Sequence, residues 1–201
     1  MGMQFTFTNI FQFISGISPL LIGFFLVMMS IFNQNLKGII YLSGVLIASV
    51  INLLIMNMIK SPAFPDRSPA CDIVDMPFGM SVYNSPALSS MFIAFTIAYL
   101  GLPMKYNGTA NYPVLASLLA LFVMDAISKV SNKCTTSIGT FVGGLFGLLF
   151  GCGWYALFRA TGNNSLLYFD EVDSNNIICN RPSKQQFKCS VYKNGELIKQ
   201  L

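Results

Sequence analysis

Five predominantly apolar stretches, at about 10–32, 38–59, 85–102, 113–130 and 135–158, dominate this chain. Each approaches the ~20 residues an α-helix needs to cross a bilayer. Of the 201 residues, 54% are hydrophobic and only 10% are charged, where soluble domains carry ~25%. The expected fold class is an all-α polytopic membrane protein. A five-helix transmembrane bundle would fill residues 1–160, and a soluble tail with a small C-terminal β-hairpin would fill residues 161–201. Residues 1–10 lack Lys and Arg and the first apolar run is too long for a cleavable signal, so the N-terminus is expected to be retained.

The last apolar stretch has its own signature. Gly139, Gly143, Gly147 and Gly151 recur every fourth residue, joined by Gly144 and Gly153. In water each glycine would cost a helix roughly 1 kcal/mol. In lipid, a smooth small-residue face lets a second helix approach closely. A helix-packing role is therefore expected for this stripe.

The connections are polar. The loop over 60–84 holds Pro62, Pro65, Pro69 and Pro77 with Asp66, Asp72 and Asp75, too many prolines for a regular helix. Pro86 suits the first turn of the third helix. Residues 101–112 read as a turn, and Gly16 and Pro19 as a kink in the first helix. In the tail, Phe187, Cys189 and Val191 alternate with polar residues at strand period, and Asn194-Gly195 is a hairpin turn signal. Asn176 to Cys179 would add a third strand. So small a unit needs support from the membrane, a partner or a Cys179–Cys189 bond.

Counting cations orients the spans. One side carries Lys60, Arg67, Lys129 and Lys133; the other carries Lys37, Lys105, Arg159, Arg181, Lys184, Lys188, Lys193 and Lys199. The excess places the tail in the cytosol and the N-terminus outside. Cys71 and Cys134 then share the outer side, where they either pair or remain thiols. The net charge of +4 fits anionic lipid headgroups rather than nucleic acid. The chain has no His, which excludes imidazole chemistry and the commonest metal ligand; no metal or cofactor is expected.

Two groups draw attention as chemistry. Asp125 lies inside the fourth span, where an acid is a candidate proton or ion site. Its alternative is a pair with Lys129 one helical turn on. Asn52 and Asn57 are expected to hydrogen-bond between helices. The second group is spread along the chain on one side of the membrane: Lys60 and Arg67, then Ser85-Pro86-Ala87-Leu88-Ser89, then Ser128-Lys129 with Cys134-Thr135. Lys60, Arg67 and Lys129 are candidate ligands for a lipid phosphate.

The order and spacing of that second group resemble the type-2 phosphatidic acid phosphatase superfamily over about residues 36–158. The family's first motif, Lys-x6-Arg-Pro, is matched by Lys60 and Arg67, with Ser68 intervening before Pro69. Its second, Pro-Ser-Gly-His, falls where this chain reads Ser85-Pro86-Ala87-Leu88. Its third, Ser-Arg-x5-His-x3-Asp, falls on Ser128, Lys129, Thr135 and Gly139, followed by a Gly-rich helix. The resemblance implies a nucleophilic His at position 135, an orienting Asp at 139 and a general-acid His at 88. Here those positions hold Thr135, Gly139 and Leu88, so the expected product is a pseudo-enzyme with no catalytic residues and only part of the phosphate-binding cations.

The tail from Cys179 to Ile198 resembles the endings of membrane proteins in large nucleocytoplasmic DNA viruses. That likeness implies a structural protein of a viral internal membrane, derived from the endoplasmic reticulum, with a cytosolic C-terminus facing capsid or other virion proteins. The competing expectations are a small channel or transporter using Asp125 and a divergent lipid phosphatase.

Overall fold

The computed structural model describes residues 7–68, 71, 83–108, 110–169, 190–193 and 196–200. Among them are five long helices: α1 (Phe7–Phe32), α2 (Lys37–Ile59), α3 (Leu88–Tyr106), α4 (Tyr112–Ser131) and α5 (Ser137–Ala160). All five are long and apolar enough to cross a membrane, which marks an integral membrane protein. Two short strands, β1 (Ser190–Lys193) and β2 (Glu196–Gln200), pair antiparallel with an irregular register between Val191 and Tyr192. The expected turn at Asn194-Gly195, the third strand and the Cys179–Cys189 bond lie outside the described residues.

Helix α3 occupies the centre. Helices α1, α2, α5 and α4 form a ring in that order, each touching its neighbours and α3. Accordingly 67% of the α3 span is buried, against at most 39% for any other. The ring turns Phe24, Phe25, Leu54, Leu119, Phe141 and Leu149 outward. In water that would be one large apolar patch; in lipid it is the solvated face.

The glycine stripe of α5 packs on α3. A Cβ on Gly143 would meet backbone atoms of Ala87, one on Gly147 those of Met91, and one on Gly151 those of Phe95, the last at 2.7 Å. Real Cβ contacts essentially never fall below 3.0 Å. Both partners step by four residues, so a groove of glycines on α5 receives the backbone of α3 over two turns. At the top of the stripe the Ala87 N–H donates to the Gly139 carbonyl at 3.0 Å. Gly144 faces Phe122 of α4, and Gly153 faces open space, so neither belongs to this seam.

Local chemistry accounts for the helix ends. Thr136 caps α5, its hydroxyl accepting from the Gly139 N–H at 2.9 Å, and Asn111 caps α4 on the Val114 N–H at 3.3 Å. Helix α1 runs unbroken through Pro19. Proline lacks the N–H that would reach the Ser15 carbonyl, and the Ser18 hydroxyl donates to that carbonyl instead at 2.9 Å.

Three boundaries differ from the sequence reading. Helix α3 begins at Leu88, after a cis Ser85–Pro86 peptide, so Pro86 precedes the helix rather than opening it. The same helix continues past Gly101 and Pro103 to Tyr106, because Pro103 and Met104 are buried in the core and packing overrides the two helix breakers. Finally, residues 161–169 are part of the bundle. Leu167 is buried in the main core, the Tyr168 hydroxyl donates to the Leu26 carbonyl at 2.6 Å, and Asn107 donates to the Phe169 carbonyl at 2.7 Å.

Candidate functional site

The site lies at the end of the bundle where α2 and α4 finish and α3 and α5 begin. Asn132, in the α4–α5 turn, ties these parts together. Its side chain accepts from Gln12 of α1 at 2.7 Å and donates to the Ser128 carbonyl at 2.8 Å. Its backbone carbonyl accepts the Ser68 N–H at 3.1 Å. A Cys71–Cys134 disulfide fastens the loop after α2 to the same turn. Lys133 and Asp66 add an exposed ion pair at 3.4 Å, the kind worth little by itself. The loop that carries Arg67 is thereby held against the turn that follows Lys129.

Between these elements is a cavity of about 150 Å³. Its polar lining includes Arg67, Tyr83, Asn84, Ser89, Lys129 and Thr135. Its apolar wall includes Pro19 and Leu20 of α1, Leu53 and Met56 of α2, and Phe92 of α3. Gly16 of α1 is buried and lines it too, with nothing within 4 Å of where its Cβ would be. The cavity lining thus combines two cations and other polar groups with apolar side chains.

Of the three candidate cations, the structure brings Arg67 and Lys129 onto this cavity, and both are half-buried. Lys60 stands apart. It ends α2 in the left-handed conformation (φ 49°), its N–H bonded to the Met56 carbonyl, and its side chain is exposed outside the lining. A left-handed cap turns the chain sharply away from the helix axis, an outcome that residue spacing does not reveal.

Thr135 is buried, and its hydroxyl donates to the Asn84 carbonyl at 2.5 Å. A Cβ at Gly139 would lie 2.6 Å from that same hydroxyl oxygen. Leu88 also lines the cavity. Asn52 is fully buried and reaches the Pro86 carbonyl at 3.3 Å, whereas Asn57 lies on the exposed face of α2 and is not the interhelical bonder its sequence position suggests.

Asp125 is completely buried at the meeting of α1, α3 and α4. Three serine hydroxyls hold it: Ser89 at 2.7 Å and Ser90 at 3.4 Å on one carboxylate oxygen, and Ser15 at 3.4 Å on the other. Its hydrogen-bond partners are these serines rather than Lys129. Sequence inspection missed Gln12, Ser15, Ser90 and Asn132. A faint signal existed in polar side chains at the edge of apolar spans, which in lipid need hydrogen-bond partners on their own or neighbouring helices. Among the described residues no group of three or more His, Cys, Asp or Glu is arranged to hold a metal ion.

No protein-family model, curated protein or solved structure matches this chain.

Proposed function

We propose that this chain is a non-catalytic, structural membrane protein that holds an anionic lipid head group in the cavity described above. The observation that carries the proposal is the meeting of Arg67 and Lys129 on a cavity that is also lined by apolar side chains of α1, α2 and α3. Guanidinium and ammonium groups are natural phosphate partners, and the apolar wall suits an acyl chain. The scaffold is taken to be a degenerate type-2 phosphatidic acid phosphatase bundle. What supports this is that Arg67, Leu88, Lys129 and Thr135, drawn from all three motif positions, line one cavity, and that Gly139 lies against Thr135.

The same geometry argues against hydrolysis. The chain has no His, and the Thr135 hydroxyl spends its hydrogen on a backbone carbonyl, which is no base. A channel built on Asp125 is less favoured, since α3 fills the centre of the ring and Asp125 is sealed in a seam between helices.

The disulfide belongs to an oxidising compartment, which supports placing the cavity outside and the end of α5 in the cytosol. In that orientation the C-terminal segment reaches toward cytosolic partners. Its likeness to viral membrane proteins makes a capsid layer over an internal membrane derived from the endoplasmic reticulum the proposed setting.

The test pairs two assays on the purified full chain: binding of labelled acidic phospholipid and phosphate release from phosphatidic acid. The expected result is saturable binding without release. Release that vanishes in Thr135→Ala would overturn the non-catalytic role, and absence of saturable binding would overturn the lipid-holding one.

A further inference from the structure

Helix α1 is tied to a different neighbour at each end. At the hairpin end it meets α2 at backbone distance. A Cβ on Gly38 would lie 2.6 Å from the Ser30 Cβ and 3.0 Å from the Val27 Cα, and the Gly38 N–H donates to the Ser30 hydroxyl at 2.8 Å. At the cavity end α1 is held to α4 and the turn after it, through Gln12 to Asn132 at 2.7 Å and Ser15 to Asp125 at 3.4 Å. A helix drawn to α2 at one end and to α4 at the other leaves a gap beside α2. The cavity lies there, lined by Gly16 and Leu20 of α1 and by Leu53 of α2.

The gap has a floor and a depth. Gly16 is buried, yet a Cβ there would meet nothing within 4 Å. About two turns on, a Cβ at Gly23 would stand 3.0 Å from the tip of the Phe92 ring, which also lines the cavity. At 1.5 Å per residue, Leu20 lies about 15 Å along the α1 span from Ile10, about half of a ~30 Å hydrocarbon core. Leu53 lies about 9 Å short of the end of α2 at Ile59. Lys129, by contrast, is in the last turn of α4, and Arg67 is in the loop beyond α2. The lining therefore reaches from the helix ends and loops, where the cations lie, to about the middle of the bilayer. The cavity is partly open, and Leu20 belongs both to its lining and to the surface of α1, at 49% exposure.

We infer that an acyl chain of a bilayer lipid occupies this gap between α1 and α2, and that Gly16 is the residue that admits it. The inference rests on the lipid-holding role proposed above and adds where the chain lies. An apolar void costs its lining atoms their contacts unless a chain supplies them. The surrounding bilayer is as apolar as the lining, so the chain alone gives little preference for one lipid over another. Preference comes from the anionic head group at the level of Lys129. A large side chain at position 16 would take the place of the chain.

The experiment uses the full chain in phosphatidylcholine nanodiscs that hold a trace of phosphatidylglycerol with a diazirine midway along one acyl chain. After irradiation, peptide mapping locates the cross-links. They are expected within residues 16–20 and at Leu53 and Phe92. Unlabelled phosphatidylglycerol should reduce them at least about fivefold by competition. Cross-links on the outward-facing Phe25 and Leu149 should not respond to it. Gly16→Leu should abolish the competable cross-links without lowering the thermal midpoint, since the space beside Gly16 is open. The same diazirine chain on phosphatidylcholine should give no competable cross-link in the gap. Saturable phosphatidylglycerol binding without competable cross-links in the gap, or cross-links there that persist in Gly16→Leu, overturns the acyl-chain site and leaves lipid holding intact. Equal labelling of the gap by both lipids, with no competition, separates the chain from the head group and also overturns the inference. Absence of saturable phosphatidylglycerol binding overturns lipid holding itself. Should Gly16→Leu fail to fold, the map in the unaltered protein decides.

Discussion

Gly147 of α5 lies so close to Met91 of α3 that a Cβ there would come within 3.0 Å of the Met91 carbonyl oxygen, carbonyl carbon and Cα. Those atoms are backbone and cannot swing aside. Gly147→Ala should therefore force α3 and α5 apart and lower stability by about 1–3 kcal/mol, the usual penalty for overpacking. Gly153→Ala is the control, because nothing lies within 4 Å of that position. Thermal unfolding in detergent should show a clear drop for the first and no drop for the second. Equal midpoints would remove the seam from the account.

The Cys71–Cys134 bond joins segments 63 residues apart. Closing so long a loop stabilises by about 4 kcal/mol in the chain-entropy treatment. The paired substitution Cys71→Ser with Cys134→Ser should lower the unfolding midpoint and expose the segment between α2 and α3 to limited proteolysis. Peptide mapping without reductant should recover the two cysteines as one linked fragment. Recovery as separate thiols would contradict the clasp.

Truncation discriminates the bundle from the tail. A chain ending at Phe169 keeps Leu167 in the core and the bond from Tyr168 to Leu26. A chain ending at Gly162 loses both, along with the Asn107 contact to Phe169. Exposing the site left by one buried large apolar side chain costs about 1.5–3 kcal/mol, and the lost hydrogen bonds add to it. The shorter chain should melt well below the longer one. Matching midpoints would return residues 163–169 to the tail.

Hydropathy alone locates all five helices, because a bilayer permits little else for runs of that length. The glycine period likewise names the α5 face that meets α3. Helix rotation is harder to read. Asp125 announces itself as an intramembrane acid, but its partners Ser15, Ser89 and Ser90 come from α1 and α3, and nothing local dictates which faces of three helices will meet. Serines in membrane helices often bond their own preceding carbonyls, as Ser49 does to Val45 at 2.8 Å, so a serine is a poor signal taken singly. Lys60 shows the same limit in a loop: its spacing to Arg67 fits a phosphate motif, yet the left-handed cap at Lys60 leaves its side chain exposed away from the cavity.

That separation between Lys60 and Lys129 provides the most direct test of the central claim, which is that a cavity lined by Arg67 and Lys129 holds an anionic head group. The measurement is the affinity of the full chain for labelled phosphatidylglycerol in Lys129→Gln, Arg67→Gln and Lys60→Gln. A charge-assisted hydrogen bond to phosphate is worth about 1.5–3 kcal/mol, so Lys129→Gln and Arg67→Gln should each weaken binding by roughly tenfold or more. Lys60→Gln, whose side chain is exposed and off the cavity, should bind as the unaltered chain does. Equal losses at all three positions, or no loss at Lys129 and Arg67, would show that lipid meets only a diffuse positive surface and would contradict the site.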